Sequence, residues 1–197
     1  CQGILCGWYP GPEGGTAIGE VWFGEYNPSG TLPVSLPRSS AQLPVYYNQK
    51  NPGRPRPYVD MPASPLYSFG YGLSYTTFDY TNLSLSAATV PAAEIEAGGK
   101  VEVRVDVNNS GPSSGYETVQ LYIQASESMI TRRTLELKSF RKVWLERGET
   151  KTVVFQLGKE ELAIWNREMN FVVEPCKLSI RVGTDSTSTV NAEMRIV

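Results

Sequence analysis

The chain has 197 residues, 41% of them apolar, with 18 Lys+Arg against 20 Asp+Glu and a formal net charge of −2. That length holds one large or two modest domains, and without a basic surplus a nucleic-acid partner has no electrostatic support. There is no histidine, which excludes Ser-His-Asp and Cys-His catalysis and withdraws the commonest metal ligand.

Residues 3–9, Gly3-Ile-Leu-Cys-Gly-Trp-Tyr9, form a short uncharged run that ends in the turn Pro10-Gly-Pro-Glu-Gly-Gly15, as a buried strand does before a loop. Thr16 is the expected N-cap of a helix whose apolar face is Ala17, Ile18, Val21 and Trp22 and whose polar side carries Glu20. Strand, glycine-rich turn and helix make half of a parallel α/β unit. Thr31–Pro37 reads as extended, with Pro33 and Pro37 restricting it to an edge or a chain exit. Residues 38–61 read as ordered loop. One helix and two strands cannot bury a core alone, so residues 1–64 are expected to be the C-terminal remnant of an α/β domain.

Residues 65–78 are different. Tyr67, Phe69, Tyr71, Tyr75 and Phe78 lie in an uncharged run from Met61 to Phe78, and so many large rings are rarely left exposed together. Prolines and glycines break any membrane-spanning helix here, and no membrane partner is expected. The reading is a packed joint with Phe69, Tyr71, Tyr75 and Phe78 mostly buried, and with Gly70 and Gly72 taking positive φ on either side of Tyr71.

After the joint the period changes to two. Val101, Val103, Val105 and Val107 alternate with Glu102, Arg104 and Asp106, and Val119, Leu121 and Ile123 alternate with Gln120, Tyr122 and Gln124. Further strands are expected over 135–145, 151–157, 170–173, 178–182 and 191–197. About seven short strands separated by turns predict an immunoglobulin-like sandwich over 79–197. The fold class expected for the whole is therefore mainly β: a fibronectin III-like β-sandwich preceded by the remnant of an α/β sandwich domain.

Cys1, Cys6 and Cys176 are too few and too scattered for a disulfide framework or a zinc site, and buried free thiols are expected. Cys1 and Cys6, five apart in one expected strand, should face opposite sides and not bond. The sequons at Asn82 and Asn108 matter only in a eukaryotic secreted protein. The chain starts on Cys1 without a charged-then-apolar leader, which reads as the C-terminal part of something longer.

Trp8–Ala17, Phe23–Pro33, Leu43–Asn48 and Tyr67–Phe78 resemble the C-terminal portion of glycoside hydrolase family 3, which includes β-glucosidases and β-xylosidases. The likeness continues through Asn109–Gly111, Glu117–Tyr122, Glu136–Phe140 and Arg147–Glu149, which are similar to the fibronectin type III-like domain that ends many members. It covers essentially the whole chain. The resemblance implies a three-part enzyme that hydrolyses terminal β-D-glucosyl or β-D-xylosyl residues with retention, one carboxylate attacking the anomeric carbon and a second acting as acid and then base. In the family both carboxylates lie outside the stretches matched here, so no catalytic residue is carried over. The implied partners are upstream catalytic domains of the same protein and, through them, a β-glycoside or oligosaccharide. No cofactor or metal is expected, and the expected location is secreted or periplasmic. Three positions depart from the family pattern: Cys176 and Ser139 stand where glycine is common, and Arg133 where proline is. Cys176 puts a positive-φ turn at 173–177 in doubt.

The candidate pocket residues are Trp8, Tyr9 and Glu13. Glu13 lies in a glycine-rich turn at the C-terminal end of the expected strand, where α/β sheets bind ligands; otherwise it caps the following helix and favours its positive end. Trp8 and Tyr9 either form a sugar-stacking wall or belong to the core. Arg54, Arg56 and Tyr58 either reach a pocket rim or the second subunit of a homodimer, or are solvated loop residues. The rival reading of the whole is a non-catalytic carbohydrate-binding or adhesion module, which an exposed row of aromatics on one sandwich face would favour.

Overall fold

A computed structural model describes residues 3–50 and 60–197 of the chain. The first element is helix α1 (Gly14–Trp22), followed by a single 3-10 turn at Ser40–Gln42. The later strands are β1 (Phe78–Leu85), β2 (Thr89–Val90), β3 (Val101–Asn109), β4 (Gly115–Ser126), β5 (Glu136–Leu145), β6 (Thr150–Leu157), β7 (Ile164–Trp165), β8 (Phe171–Val172), β9 (Cys176–Gly183) and β10 (Thr189–Ile196). Short helices α2 (Ala92–Glu96) and α3 (Lys159–Leu162) lie among them.

The period-two segments all become strands, because each has one face to bury and one to hydrate. One sheet has the order β1-β3-β6, a second has the order β2-β10-β9-β4-β5, and β7 pairs with β8. The valines of β3 meet Val119, Leu121 and Ile123 of β4, Phe155 of β6, Ile180 and Val182 of β9, and Met194 and Ile196 of β10 in one core, each at most 2% exposed. Each such side chain contributes about 1.5–3 kcal/mol by leaving water. The mainly β architecture expected from the sequence is present.

β1 is not among the expected strands. It shifts register against β3 between Thr81 and Ser84, and Asn82 takes φ 55 within it. A bulge changes which residues face inward, so no clean alternation survives in the sequence.

The N-terminal strand is not formed. Residues 3–9 run as irregular chain, and none of the described strands pairs with them; an extended segment becomes a strand only when a neighbour takes its backbone hydrogen bonds. Cys6 is consequently exposed rather than buried, while Cys176 is a buried free thiol whose burial pushes it above its ordinary pKa. Cys1 lies outside the described residues. Helix α1 starts earlier than Thr16, with Glu13 at the N-cap position and its carbonyl accepting from the Ala17 N–H at 3.0 Å.

The joint lies across the outer face of β4. The Ser186 N–H donates to the Phe69 carbonyl at 3.1 Å, and the Gln120 Nε2 donates to the Gly70 carbonyl at 3.2 Å. Toward the N-terminal segment, the Leu32 N–H donates to the Tyr71 carbonyl at 2.8 Å and the Gly70 N–H to the Leu32 carbonyl at 2.8 Å. Phe69, Tyr71 and Phe78 are largely covered, as expected, whereas Tyr75 is exposed at 45%, so the expected burial fails at that ring. The rings are used as surface stacks: Tyr47 on Phe69 at 4.0 Å and Tyr67 on Tyr71 at 5.1 Å between centroids. Gly70 has φ +81, whereas Gly72 does not have positive φ. Its role is close approach, since a Cβ there would lie 2.8 Å from the Gly30 carbonyl oxygen.

The three departures from the family pattern are accommodated in the sandwich. Cys176 opens β9 without positive φ. Ser139 sits beside the register shift between β4 and β5. Arg133 bridges to Lys50 and donates to the Asn48 carbonyl at 3.2 Å.

Candidate functional site

Helix α1 and the turn before it carry the sequence-predicted site. The Gly14 N–H closes the turn on the Gly11 carbonyl at 2.9 Å, and Gly14 is buried against Pro10. Glu13 makes no side-chain bond to the first-turn N–H groups; its Oε2 accepts from the Thr16 hydroxyl at 3.3 Å instead. Its carboxylate is exposed and, among the described residues, neither caps the helix nor pairs with a cation. Trp8 is 55% exposed with φ 48, and Tyr9 is fully exposed. A left-handed backbone is costly for so bulky a residue. The alternative in which Trp8 and Tyr9 are core residues does not hold for this chain. No hydrogen bond or ring contact among the described residues links either ring to Glu13. Arg54, Arg56 and Tyr58 lie outside the described residues.

Trp22 and Phe23, at the other end of α1, are exposed as well. The apolar face of α1 was legible as an amphipathic pattern, but the pattern does not say whether its cover lies in the same stretch of chain. A groove of about 570 Å³ runs between Pro33–Ser35 and Leu43–Asn48 and ends on Phe69.

Among the buried carboxylates of the sandwich, Glu117 and Asp185 have contrasting settings. Glu117 points between the sheets and accepts from the Tyr80 hydroxyl at 2.6 Å. Burial pushes its carboxyl above the usual range, an effect that the Tyr80 bond offsets only in part, and burial also pushes the Tyr80 hydroxyl up. Asp185 sits in the β9–β10 turn, its Oδ1 accepting from the Thr187 N–H and hydroxyl at 2.6 Å and from the Ser188 N–H at 2.8 Å. Burial works to raise this carboxyl, but those bonds together hold it below its ordinary value. Among the described residues no group of His, Cys, Asp and Glu is arranged to hold a metal ion. No described helix is long and apolar enough to cross a membrane.

Residues 1–75 match the glycosyl hydrolase family 3 C-terminal domain, and residues 117–186 match the fibronectin type III-like domain. The chain belongs to glycosyl hydrolase family 3. Among family 3 proteins it is 44% identical over 193 residues to a periplasmic β-glucosidase of Salmonella typhimurium, covering 93% of this chain and 25% of that protein. It is 38% identical to a xylan 1,4-β-xylosidase of Xylanibacter ruminicola, covering 94% of this chain and 20% of that one. A solved β-glucosidase from Erythrobacter marinus superposes with a TM-score of 0.90 at 40% identity, over 96% of this chain and 24% of that structure. A β-glucosidase of Listeria innocua in complex with glucose gives 0.88 at 36% identity, over 96% and 27%. The chain thus spans about a quarter of the length of these family 3 relatives.

Proposed function

We propose that this chain is the C-terminal scaffold of a retaining β-glycosidase that removes terminal β-D-glucosyl or β-D-xylosyl residues. One observation carries the reading. The sandwich closes its own core, whereas the segment before it leaves Trp22, Phe23 and Tyr46 exposed in a fold whose relatives are about four times longer. An apolar surface that large on a stable protein is an interface, and the remainder of the same polypeptide is the cover supplied in the longer relatives. The sandwich holds the segment through the joint and through the Asn27 side chain, which donates to the Ser114 carbonyl at 3.0 Å and accepts from the Ser74 hydroxyl at 2.8 Å.

Retaining hydrolysis requires two carboxylates about 5–5.5 Å apart on either side of the glycosidic bond. Glu13, Trp8 and Tyr9 are assigned to the rim of the assembled pocket, where rings and a free carboxylate contact sugar. The relatives' names support a β-glucoside or β-xyloside as substrate, and the periplasmic relative supports a secreted or periplasmic location. Aryl β-D-glucoside and β-D-xyloside assays decide the point on two preparations. The purified 197-residue chain should be inert, and the full-length gene product should turn over at least one substrate with retention of anomeric configuration. Turnover by the chain alone that disappears in Glu13→Gln would overturn the scaffold role, and an inert full-length protein would overturn the glycosidase.

A further inference from the structure

We propose that Asn27 is a positioning residue: through it the sandwich sets the angle of α1 and, given the assignment of Glu13, Trp8 and Tyr9 to the pocket rim, the place of the groups that contact sugar. Asn27 follows α1 closely. Its Nδ2 donates to the Ser114 carbonyl, between β3 and β4, at 3.0 Å, and its Oδ1 accepts from the Ser74 hydroxyl and the Tyr75 N–H of the joint, each at 2.8 Å. One short side chain thus ties its own segment to two others, 47 and 87 residues farther along.

Both sides are shaped for this clasp. Asn27 can approach only because Gly115 has no side chain; a Cβ there would collide with Asn27 Nδ2. The Ser114 hydroxyl donates to Glu146 Oε2 at 2.6 Å and the Trp144 indole N–H to Glu146 Oε1 at 2.8 Å, so the residue that receives Asn27 is itself fixed to the end of β5. On the helix side, the Tyr75 hydroxyl donates to the Val21 carbonyl at 2.7 Å, and the Glu25 and Tyr26 N–H groups return to the Glu20 carbonyl at 2.8 Å and 3.1 Å. The last turn of α1 is therefore tied to Asn27 along the chain and through the Tyr75 ring.

The rim residues ride on the other end. The Glu13 carboxylate is bonded to Thr16 of the helix. A Cβ on Gly14 would collide with Pro10, and one on Gly7 would lie 3.8 Å from Ile18 Cδ1, so residues 7–10, which include Trp8 and Tyr9, lie along α1 and turn with it. The nine residues of α1 span about 13 Å, so a tilt of about 5° at the Asn27 end carries Glu13 through about 1 Å. A shift of that size is enough to weaken a directed contact with substrate.

The test is steady-state kinetics of the full-length gene product on aryl β-D-glucoside and β-D-xyloside, well below its thermal midpoint. KM does not depend on how much enzyme is folded, so a residue that only stabilises lowers the apparent kcat and leaves KM alone, whereas a displaced rim loses sugar binding and raises KM. Asn27→Ala should raise KM roughly threefold to tenfold, with kcat per folded active site within about twofold. Gly115→Ala, which pushes on the same amide from the sandwich, should do the same and serves where Asn27→Ala fails to fold. Asn27→Asp keeps the acceptor for Ser74 and Tyr75 but loses the donor to Ser114, and should also raise KM. Glu13→Gln should raise KM, and Asn27→Ala added to it should have a smaller effect than it has alone. Val153→Ala, in the sandwich core, should lower the midpoint and leave KM unchanged. An active parent whose KM survives both Asn27→Ala and Gly115→Ala would overturn the positioning role and leave the glycosidase reading intact, whereas an inert parent would overturn both. Strict additivity with Glu13→Gln, or a KM that rises equally in Val153→Ala, would also overturn the positioning role.

Discussion

Gln120 of β4 and Gly70 of the joint are built to fit each other. The Gln120 amide donates to the Gly70 carbonyl and to that of Thr184, while its Oε1 accepts from the Tyr122 hydroxyl at 2.6 Å. A Cβ at Gly70 would collide with that same Oε1 and lie 2.9 Å from the Tyr122 hydroxyl. A side-chain amide buried in this way is satisfied only while the joint backbone passes at this distance. The contact therefore fixes how the aromatic joint sits on the sandwich.

Gly70→Ala should be strongly destabilising, since it adds a left-handed backbone penalty at φ +81 to a steric one. The combined cost is about 2–4 kcal/mol, a drop of several degrees in the thermal midpoint of the chain. A midpoint equal to that of the parent would show that the joint shifts freely and is not held by Gln120.

Phe69→Ala should cost about 1.5–3 kcal/mol by urea unfolding, less than the ~3–5 kcal/mol of a fully buried ring, because Phe69 is only half-buried. Part of the cost belongs to the Tyr47 stack. A double-mutant cycle with Tyr47→Ala should return a coupling of about 0.5–1.5 kcal/mol. Strict additivity would mean that the stack contributes nothing.

Glu117 makes stability depend on pH in a definite direction. Its folded carboxyl holds a proton more tightly than the unfolded one does, so its contribution is complete below the ordinary glutamate pKa and is lost as pH rises through the raised folded value. Asp185, Asp106, Glu96 and Glu146 are shifted down and act in the opposite sense, so comparison with Glu117→Gln isolates the one group. Urea unfolding between about pH 4 and about pH 8 should show the parent losing stability relative to the variant as pH rises. A constant difference across that range would refute the assignment.

Residues 76–197, expressed alone, should unfold cooperatively. That segment contains the whole sandwich core and keeps the Thr76 hydroxyl bonded to Asn109 Oδ1 at 2.5 Å. Its midpoint should fall below that of the full chain, because Gln120 and Tyr122 lose the joint that covers them. A broad, non-cooperative melt would show that the sandwich needs the preceding segment to fold.

Much of this protein follows from local pattern. The alternating valines of β3 and the inward row of β4 specify strands and their buried faces wherever they are placed, because period two and burial on one face are properties of a single strand. Family membership was legible for a related reason: ordered turn and aromatic motifs survive as linear strings. What the pattern could not decide depends on partners distant in the chain. Residues 3–9 have the composition of a buried strand but pair with none of the described strands, and the apolar face of α1 is covered only in part, at Ile18 and Val21, while Trp22 stays exposed. β1 forms despite its bulge because β3 offers it a pairing edge. Phe69 and Tyr75 were readable as packing residues, yet only the placement of the joint determined that Phe69 stacks on Tyr47 while Tyr75 stays exposed and donates to the Val21 carbonyl. Burial is a relation between segments, and a one-dimensional pattern records only one of them.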